Sequence, residues 1–500
     1  METFSRKMQA GAVWTLLARF MEQSLGIVST IILARLLVPD DFGVVAMAMS
    51  IAVAMELFSA FSFDTALIQN QKAQRRHYDT AWTLNVAFGI FTSVLLLLLA
   101  VPAAHFYKEP RLDAVMFVLA LVPFLGGVEN IGVVAFQKEL DFNKEFRFVL
   151  GKKLTGFLTC VTLAFVWKNY WALVAGMLTS RVVGTAMSYW LHPYRPRFAL
   201  AAARELVQFS KWLLINNFLS FLMLRSADFV IGRLSGAHSL GFYNIANQIS
   251  SLPTTHFVAP INRAVYPAYS KMSADLGMLR QNFINVISII VMFVLPAAAG
   301  ISVIAELMVE VFLGPRWSDA AILMQILAFS AAITAMETNM VFVFLALGTP
   351  RTYTWLFGLT AVVLLPLLVW LTQALGTVGA ALAHLLTSVV LFPVFYTTAC
   401  HKLRLKSSQL LSAVWRPVVS TSIMYAVVNS YVRYLLDGLV FSSRELALAG
   451  AVVLGASVYA GTLLALWYAS SKPAGPEEFV VGKLAVTMGQ LKRMRSSVWG

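Results

Sequence analysis

The stretch Trp14–Ile51, WTLLARFMEQSLGIVSTIILARLLVPDDFGVVAMAMSI, returns 198 residues later as Trp212–Ile249, WLLINNFLSFLMLRSADFVIGRLSGAHSLGFYNIANQI. In one ungapped register Trp14 meets Trp212, Leu16 meets Leu214, Phe20 meets Phe218, Arg35 meets Arg233, Leu36 meets Leu234, Gly43 meets Gly241 and Ile51 meets Ile249. The Trp, Arg and Gly identities carry the comparison, because apolar sequence matches itself at Leu and Val by chance. Each copy runs through one apolar segment, a basic residue, a short turn and the start of a second apolar segment. The register moves to 208 further on, where Leu119, Ala120, Glu129, Val133 and Phe136 face Leu327, Ala328, Glu337, Val341 and Phe344. Ten extra loop residues account for the drift. The chain is an internal repeat, and what repeats is a set of apolar spans.

Composition says which solvent those spans meet. Of 500 residues, 59% are hydrophobic and 12% charged, and the mean hydropathy is +0.74. Runs of roughly 20 apolar residues cross about 30 Å of hydrocarbon at 1.5 Å per residue. Such runs fall near 11–34, 42–66, 81–106, 113–136, 148–167, 170–191, 210–233, 240–262, 281–304, 320–347, 353–373, 376–399, 412–435 and 446–469, with ends good to about a few residues. The first run carries Arg19 and Glu22 and lacks a small-residue cleavage site, so it reads as a retained helix rather than a signal peptide. Six spans separate repeat equivalents, and six is even, so both copies point the same way across the bilayer. The sequence therefore predicts an all-α integral membrane protein of about fourteen transmembrane helices. Two six-helix lobes form a parallel pseudo-two-fold repeat, with two extra helices outside it. The lobes take 1–200 and 201–403, the extra pair 404–471, and 472–500 is a basic tail that is either an interfacial helix or disordered.

The net charge of +14 would suit nucleic acid only on a soluble basic face, and no such domain is present. Its placement has a simpler cause. With basic residues near span ends counted with the loops they border, 27 of the 38 lysines and arginines fall on the side that holds the N-terminus, 8 on the opposite side and 3 within spans. Cytoplasmic loops carry this excess, so both termini are placed in the cytoplasm. The chain has no Walker loop, HExxH or GxSxG and no long outer loop, so neither an ATPase nor an enzyme is expected, and no cofactor or metal. Cys160 and Cys400 are too few and too far apart for a disulfide framework or a thiolate site.

A charge near mid-bilayer costs about 2.5–3.5 kcal/mol or more, so intramembrane charges are the informative residues. Arg19 and Glu22 share a face of the first helix, and Arg225 and Asp228 repeat that spacing on the seventh, where Asn216 and Asn217 extend the polar stripe. Glu56 and Asp64 lie on the second helix, Glu129 on the fourth, Arg181 on the sixth, Arg263 at the inner end of the eighth and Glu337 on the tenth. Arginine's planar fork suits an anionic diphosphate, which assigns Arg19, Arg181, Arg225 and Arg263, with Asn216 and Asn217, to a substrate cavity. The carboxylates Glu22, Glu56, Asp64, Glu129, Asp228 and Glu337 would serve as ion-coupling sites or counter-charges. The competing reading makes each pair a structural ion pair that locks helices, or a terminal residue that snorkels to the headgroups.

Several segments carry a family likeness: ARLLVPDDFGVVAMAMSI (Ala34–Ile51), FDTALIQ (Phe63–Gln69), FQKELDFNKEFRF (Phe136–Phe148), DFVIGRLSGAHSLGFYNIANQISSLP (Asp228–Pro253), INRAVYPAYSKM (Ile261–Met272) and FLGPRWSDAAILMQILAFS (Phe312–Ser330). Together they resemble the Wzx-like polysaccharide transporter family of the multidrug/oligosaccharidyl-lipid/polysaccharide exporter superfamily. The resemblance implies a bacterial inner-membrane flippase that moves undecaprenyl-diphosphate-linked oligosaccharide by alternating access. Its partners would be that lipid-linked substrate, membrane lipids, and a polysaccharide polymerase with its export machinery. Two other functions compete. Export of cationic drugs by the same superfamily calls for an acidic cavity, against which Arg19, Arg181 and Arg225 speak, and a membrane-embedded polymerase or ligase calls for a large outer loop.

Overall fold

The computed structural model describes residues 21–56, 63, 67–68, 73–139, 141–437, 443–473 and 476–478, and of these it leaves the side chains of 204–219, 407 and 435–437 undescribed. Every regular element among the described residues is helical. Among the described residues, seven helices are long and apolar enough to cross a bilayer, or eight when one bent pair is taken as a single span. Two very long helices contain an internal break, at Gly236 (φ 84°) and at Gly376 (φ 60°). Divided there, the described residues hold fourteen helical spans in chain order, as the apolar runs predict.

The spans α1 (21–36), α2 (Pro39–Glu56) and α3 (Arg75–Tyr107) come first. Next is α4, made of Arg111–Leu119, Leu121–Gly127 and, past a break, Ile131–Val133 and Val134–Lys138; α5 (Phe142–Trp167) and α6 (Trp171–Leu191) follow. The broken helices give α7 (203–235) and α8 (237–272, with a π turn over Thr254–Val258), then α11 (350–375) and α12 (377–403). Between them lie α9 (Leu276–Met308) and α10 (Ala320–Ala346), and the chain closes with α13 (Ser407–Asp437) and α14 (Arg444–Ala469).

The expectation of a continuous fourth span does not hold. The two parts of α4 are bent by 61° at Val128–Asn130. In an unbroken helix the Glu129 N–H would bond the Leu125 carbonyl. Instead it bonds Gly126 O at 3.3 Å, and Thr185 Oγ1 donates to Leu125 O at 2.9 Å. Val128 O accepts from Tyr189 Oη at 2.8 Å and from Trp82 Nε1 at 3.4 Å. Side chains thus satisfy the carbonyls that the break releases, which apolar surroundings require.

The helices gather into two compact units, one of Met1–Asn244 with Phe312–Arg316 and Thr372–Thr377, the other of Ile245–Val311, Trp317–Leu371 and Val378–Gly500. The first unit therefore takes α7 and the start of α8 along with α1–α6. Its packing explains why. Tyr107, at the end of α3, is 2% exposed, shares a hydrogen bond of 3.0 Å with Ser50 on α2 and stacks on Phe229 of α7 at 6.2 Å. In the same unit α5 and α6 cross on small residues: a methyl added at Gly176 would stand 2.6 Å from Cys160 Cβ, and one at Gly156 would stand 2.8 Å from Ser180 Cβ. Backbones approach this closely only where side chains are small.

After α6 the chain runs without helix through His192–Leu200. Pro193 and Pro196 discourage one, and side chains of α3 bind the strand of backbone instead. Asp79 accepts from Tyr194 Oη at 2.5 Å and from Arg197 N at 2.9 Å, Thr83 Oγ1 accepts from Ala199 N at 2.9 Å, and Thr80 Oγ1 accepts from Ala202 N at 3.3 Å. Burial pushes the Tyr194 phenol up, and the Asp79 carboxylate beside it adds to the shift.

In the second unit, buried Phe283, Ile287, Phe344, Leu356, Leu391 and Phe395 form one apolar cluster. The two helices beyond the repeat pack on α9, with Tyr459 of α14 donating to Met292 O at 2.7 Å. The chain after α14 is anchored by a buried ion pair, Arg416 Nε to Glu477 Oε1 at 2.8 Å. Residues 479–500, the main part of the basic tail, lie outside the described residues.

Candidate functional site

Within the first unit, the charges expected to matter fall in two places. The first is the break in α4. Glu129 sits on it with a side chain 19% exposed, and the Arg181 guanidinium on α6 approaches to 4.0 Å with 38% exposure. Glu56, in the last turn of α2, lies within electrostatic range of the same guanidinium. One arginine therefore stands among carboxylates from two helices. Five fixed N–H donors and a planar fork suit it to phosphate oxygens. Glu22 takes a different partner, Lys153 on α5 at 3.1 Å.

The second place is α7. Arg225 Nη1 meets Asp228 Oδ2 at 3.1 Å, as the three-residue spacing predicts, and Asn244 Nδ2 reaches Asp228 Oδ1 at 3.4 Å. Asp228 is 3% exposed, whereas the Arg225 side chain keeps 34% exposure. Arg19, Asp64 and the side chains of Asn216 and Asn217 lie outside the described residues.

The repeat is visible at the charge-poor ends of the helices. Gly43 lies on the Ala237 backbone and Gly241 on the Pro39 backbone, so closely that a Cβ on either glycine would overlap the facing carbonyl. Gly43 and Gly241 are equivalents at the offset of 198, and so are Pro39 and Ala237. A contact i to j matched by its reciprocal is the signature of a two-fold interface. A residue that meets its own equivalent must sit on the axis, and Asp40 does so: its Oδ2 is 2.6 Å from His238 Nδ1, at a sequence separation of 198.

Arg111 adds a contact of 3.9 Å to Asp40 and forks onto Glu109, at 2.7 Å from Nε and 2.9 Å from Nη2. That fork holds the Glu109 carboxyl below its ordinary range. Arg35 Nε donates to Phe312 O at 3.0 Å, which ties the end of α1 to that segment.

In the second unit, Glu337 lies on α10, a continuous helix, and its Oε1 meets no hydrogen-bond partner among the described residues. Two residues on, Asn339 Nδ2 donates to Asn262 Oδ1 at 3.0 Å, and Tyr269 Oη to Asn339 Oδ1 at 3.4 Å. Both asparagines are buried, at 0% and 4% exposure. Arg263, next to Asn262, is exposed and takes no part in that chain. Cys160 and Cys400 are buried free thiols.

The charge pattern did not point to Asn130, Thr185, Ser188, Asp40 or His238, since none is an intramembrane charge. For the last two a signal was present. The offset aligns an acid with a histidine, which is how a complementary contact across a two-fold axis reads in sequence.

The chain is similar to known proteins. A family model described as "Polysaccharide biosynthesis protein" matches residues 32–322. The chain is 27% identical over 322 residues to the lipopolysaccharide biosynthesis protein WzxC of Escherichia coli, covering 64% of this chain and 65% of that one, so it spans just under two thirds of that relative. It is 23% identical to the teichuronic acid biosynthesis protein TuaB of Bacillus subtilis, over 93% of this chain and 96% of that one. Among solved structures, the lipid II flippase MurJ in an inward closed conformation superposes with a TM-score of 0.71 at 13% identity, covering 91% of this chain and 99% of that one. At that identity the likeness shows the fold alone.

Proposed function

This chain belongs to the polysaccharide biosynthesis protein family, and from that premise we propose that it is a flippase for undecaprenyl-diphosphate-linked oligosaccharide repeat units of a bacterial surface polysaccharide. It works in the inner membrane by alternating access, coupled to an ion gradient, and performs no covalent chemistry. Both termini are cytoplasmic, because the side that holds 27 of 38 basic residues faces the cytoplasm. The Asp40–His238 axis then lies at the periplasmic face. Residues 1–200 and 201–403 are the two lobes of the repeat, and 404–471 supply the additional pair. The product passes to a polymerase and export machinery.

The observation that carries this reading is the half-exposed Arg181 set against Glu129 and Glu56 within an apolar helix bundle. A diphosphate entering the bundle needs a guanidinium that is desolvated enough to attract it and not already saturated. Carboxylates nearby keep the site from holding the anion too tightly, which release requires. Arg225 beside Asp228 repeats the arrangement on α7. Two arginines so placed disfavour cationic cargo.

The test is transport by the purified protein in vesicles, with a fluorescent undecaprenyl-diphosphate oligosaccharide scored for arrival at the opposite leaflet. Arg181→Ala should reduce the rate at least tenfold at unchanged protein abundance, the effect of losing one charge-assisted anchor. A wild-type rate in Arg181→Ala and in Arg225→Ala would overturn the assignment.

A further inference from the structure

We propose that Asn130 is a positioning residue, and that together with one face of α6 it sets Glu129 against Arg181. The inference rests on the transport reading of that pair. Arg181, Thr185, Ser188 and Tyr189 stand at i, i+4, i+7 and i+8, so they line a single face of the helix. That face grips the break in α4 on both sides of Glu129. Before it, Thr185 holds the Leu125 carbonyl and Tyr189 the Val128 carbonyl. After it, the Asn130 N–H donates to Ser188 Oγ at 2.9 Å. The helix that carries the guanidinium thus fixes the backbone that carries the carboxylate.

Asn130 closes the arrangement. Its side chain, 0% exposed, donates through Nδ2 to Tyr194 O at 2.7 Å and to Ser188 O at 3.4 Å, and accepts through Oδ1 from Gly132 N at 2.9 Å. It therefore starts the second part of α4, ties the break to α6 and ties it to the connector after α6. Only an amide serves all three, since a carboxylate has no N–H to give to two carbonyls and an aliphatic side chain has neither group. Asn130 touches neither Arg181 nor a substrate in any of these bonds, so it acts through Glu129.

A double-mutant cycle separates this role from bulk structure. Binding of undecaprenyl diphosphate to the full-length protein in lipid nanodiscs is measured for Asn130→Asp, Glu129→Gln and the double variant, with thermal unfolding as a check on folding. Asn130→Asp, by letting Glu129 move off Arg181, should shift binding about tenfold in the wild-type background and less than about twofold when Glu129 is already Gln. Equal shifts in both backgrounds would mean that Asn130 only holds the fold, and would overturn the inference alone. Unchanged binding in both Glu129→Gln and Arg181→Ala would instead overturn the transport reading of the pair. If Asn130→Asp does not fold, Ser188→Ala and Thr185→Val run the same cycle, each removing one grip from outside the break. Additive shifts there count against the proposal as well.

Discussion

The two copies of the repeat agree at their outer turns and disagree at their carboxylates. Around Asp40 and His238 each turn meets its own equivalent, and the glycines at 43 and 241 make the same contact in both directions. Around Glu129 and Glu337, equivalents at an offset of 208, almost nothing is shared. One carboxylate sits on a bent break and pairs with an arginine, while the other rides an unbroken helix, its Oε1 without a partner among the described residues. Residues that touch across an axis must change together or lose their fit. Residues that each face their own bundle are free to diverge, so symmetry survives where the copies constrain one another. On the function proposed above, that divergence makes Glu129 the counter-charge to the anion site and Glu337 the candidate for ion coupling.

The largest effect is expected at the outer turns. Gly43→Leu and Gly241→Leu each push a side chain into backbone that cannot yield, which exceeds the usual ~1–3 kcal/mol of overpacking. Both should remove folded protein from the membrane, read as abundance and thermal unfolding, and they should do so equally. Tolerance of one but not the other would break the symmetry of the contact.

Next come the carboxylates. Glu129→Gln should lower vesicle transport severalfold at every imposed gradient, because it changes how the anion is held. Glu337→Gln should leave ungraded flipping intact and abolish its response to the gradient. Were the two variants to behave alike, the division of labour would be wrong.

A smaller change is expected from His238→Ala. The Asp40 and His238 side chains are 37% and 57% exposed, and exposed pairs contribute about 0.2–1 kcal/mol. The variant should fold normally and raise the labelling of a cysteine placed at the outer turn by up to a few fold. Protection equal to wild type would show that the glycine contacts alone keep the turns together.

The smallest is a pH effect at His192, in the connector. Its Nδ1 accepts from the Tyr194 N–H at 3.1 Å, which requires the unprotonated ring, and burial together with Lys144 and Arg195 lowers its pKa below 6.5. The unfolded chain thus binds the proton more readily. Stability from this group is full above about pH 6.5 and falls as pH drops towards the folded value. Solvent exposure keeps the effect modest. The thermal midpoint of the wild type should decline between pH 7 and pH 5 more than that of His192→Asn, and parallel curves would remove His192 from the account.

Much of this was legible in the chain itself. Apolar length gave the spans, because a bilayer admits only segments that satisfy their own backbone. The repeat offset located the outer turns, because identities at Gly and Arg survive where backbone contact demands them. Spacing paired Arg225 with Asp228, since residues three apart share a helix face. The partner of Glu22 was not legible, because Lys153 lies on a distant span and only packing of α1 beside α5 brings it within 3.1 Å.

The sequence by itself therefore determined the solvent, the number of the spans and the existence of two related halves. Those are one-dimensional properties, set by hydrophobic length, charge placement and periodic identity. Tertiary structure decided that α4 is broken, that α6 supplies both the arginine and the grips on the break, and that Asp40 finds His238. A neutral asparagine at position 130 carries no charge signal, and its importance arises only when burial removes water and each of its polar atoms must find a partner in the fold.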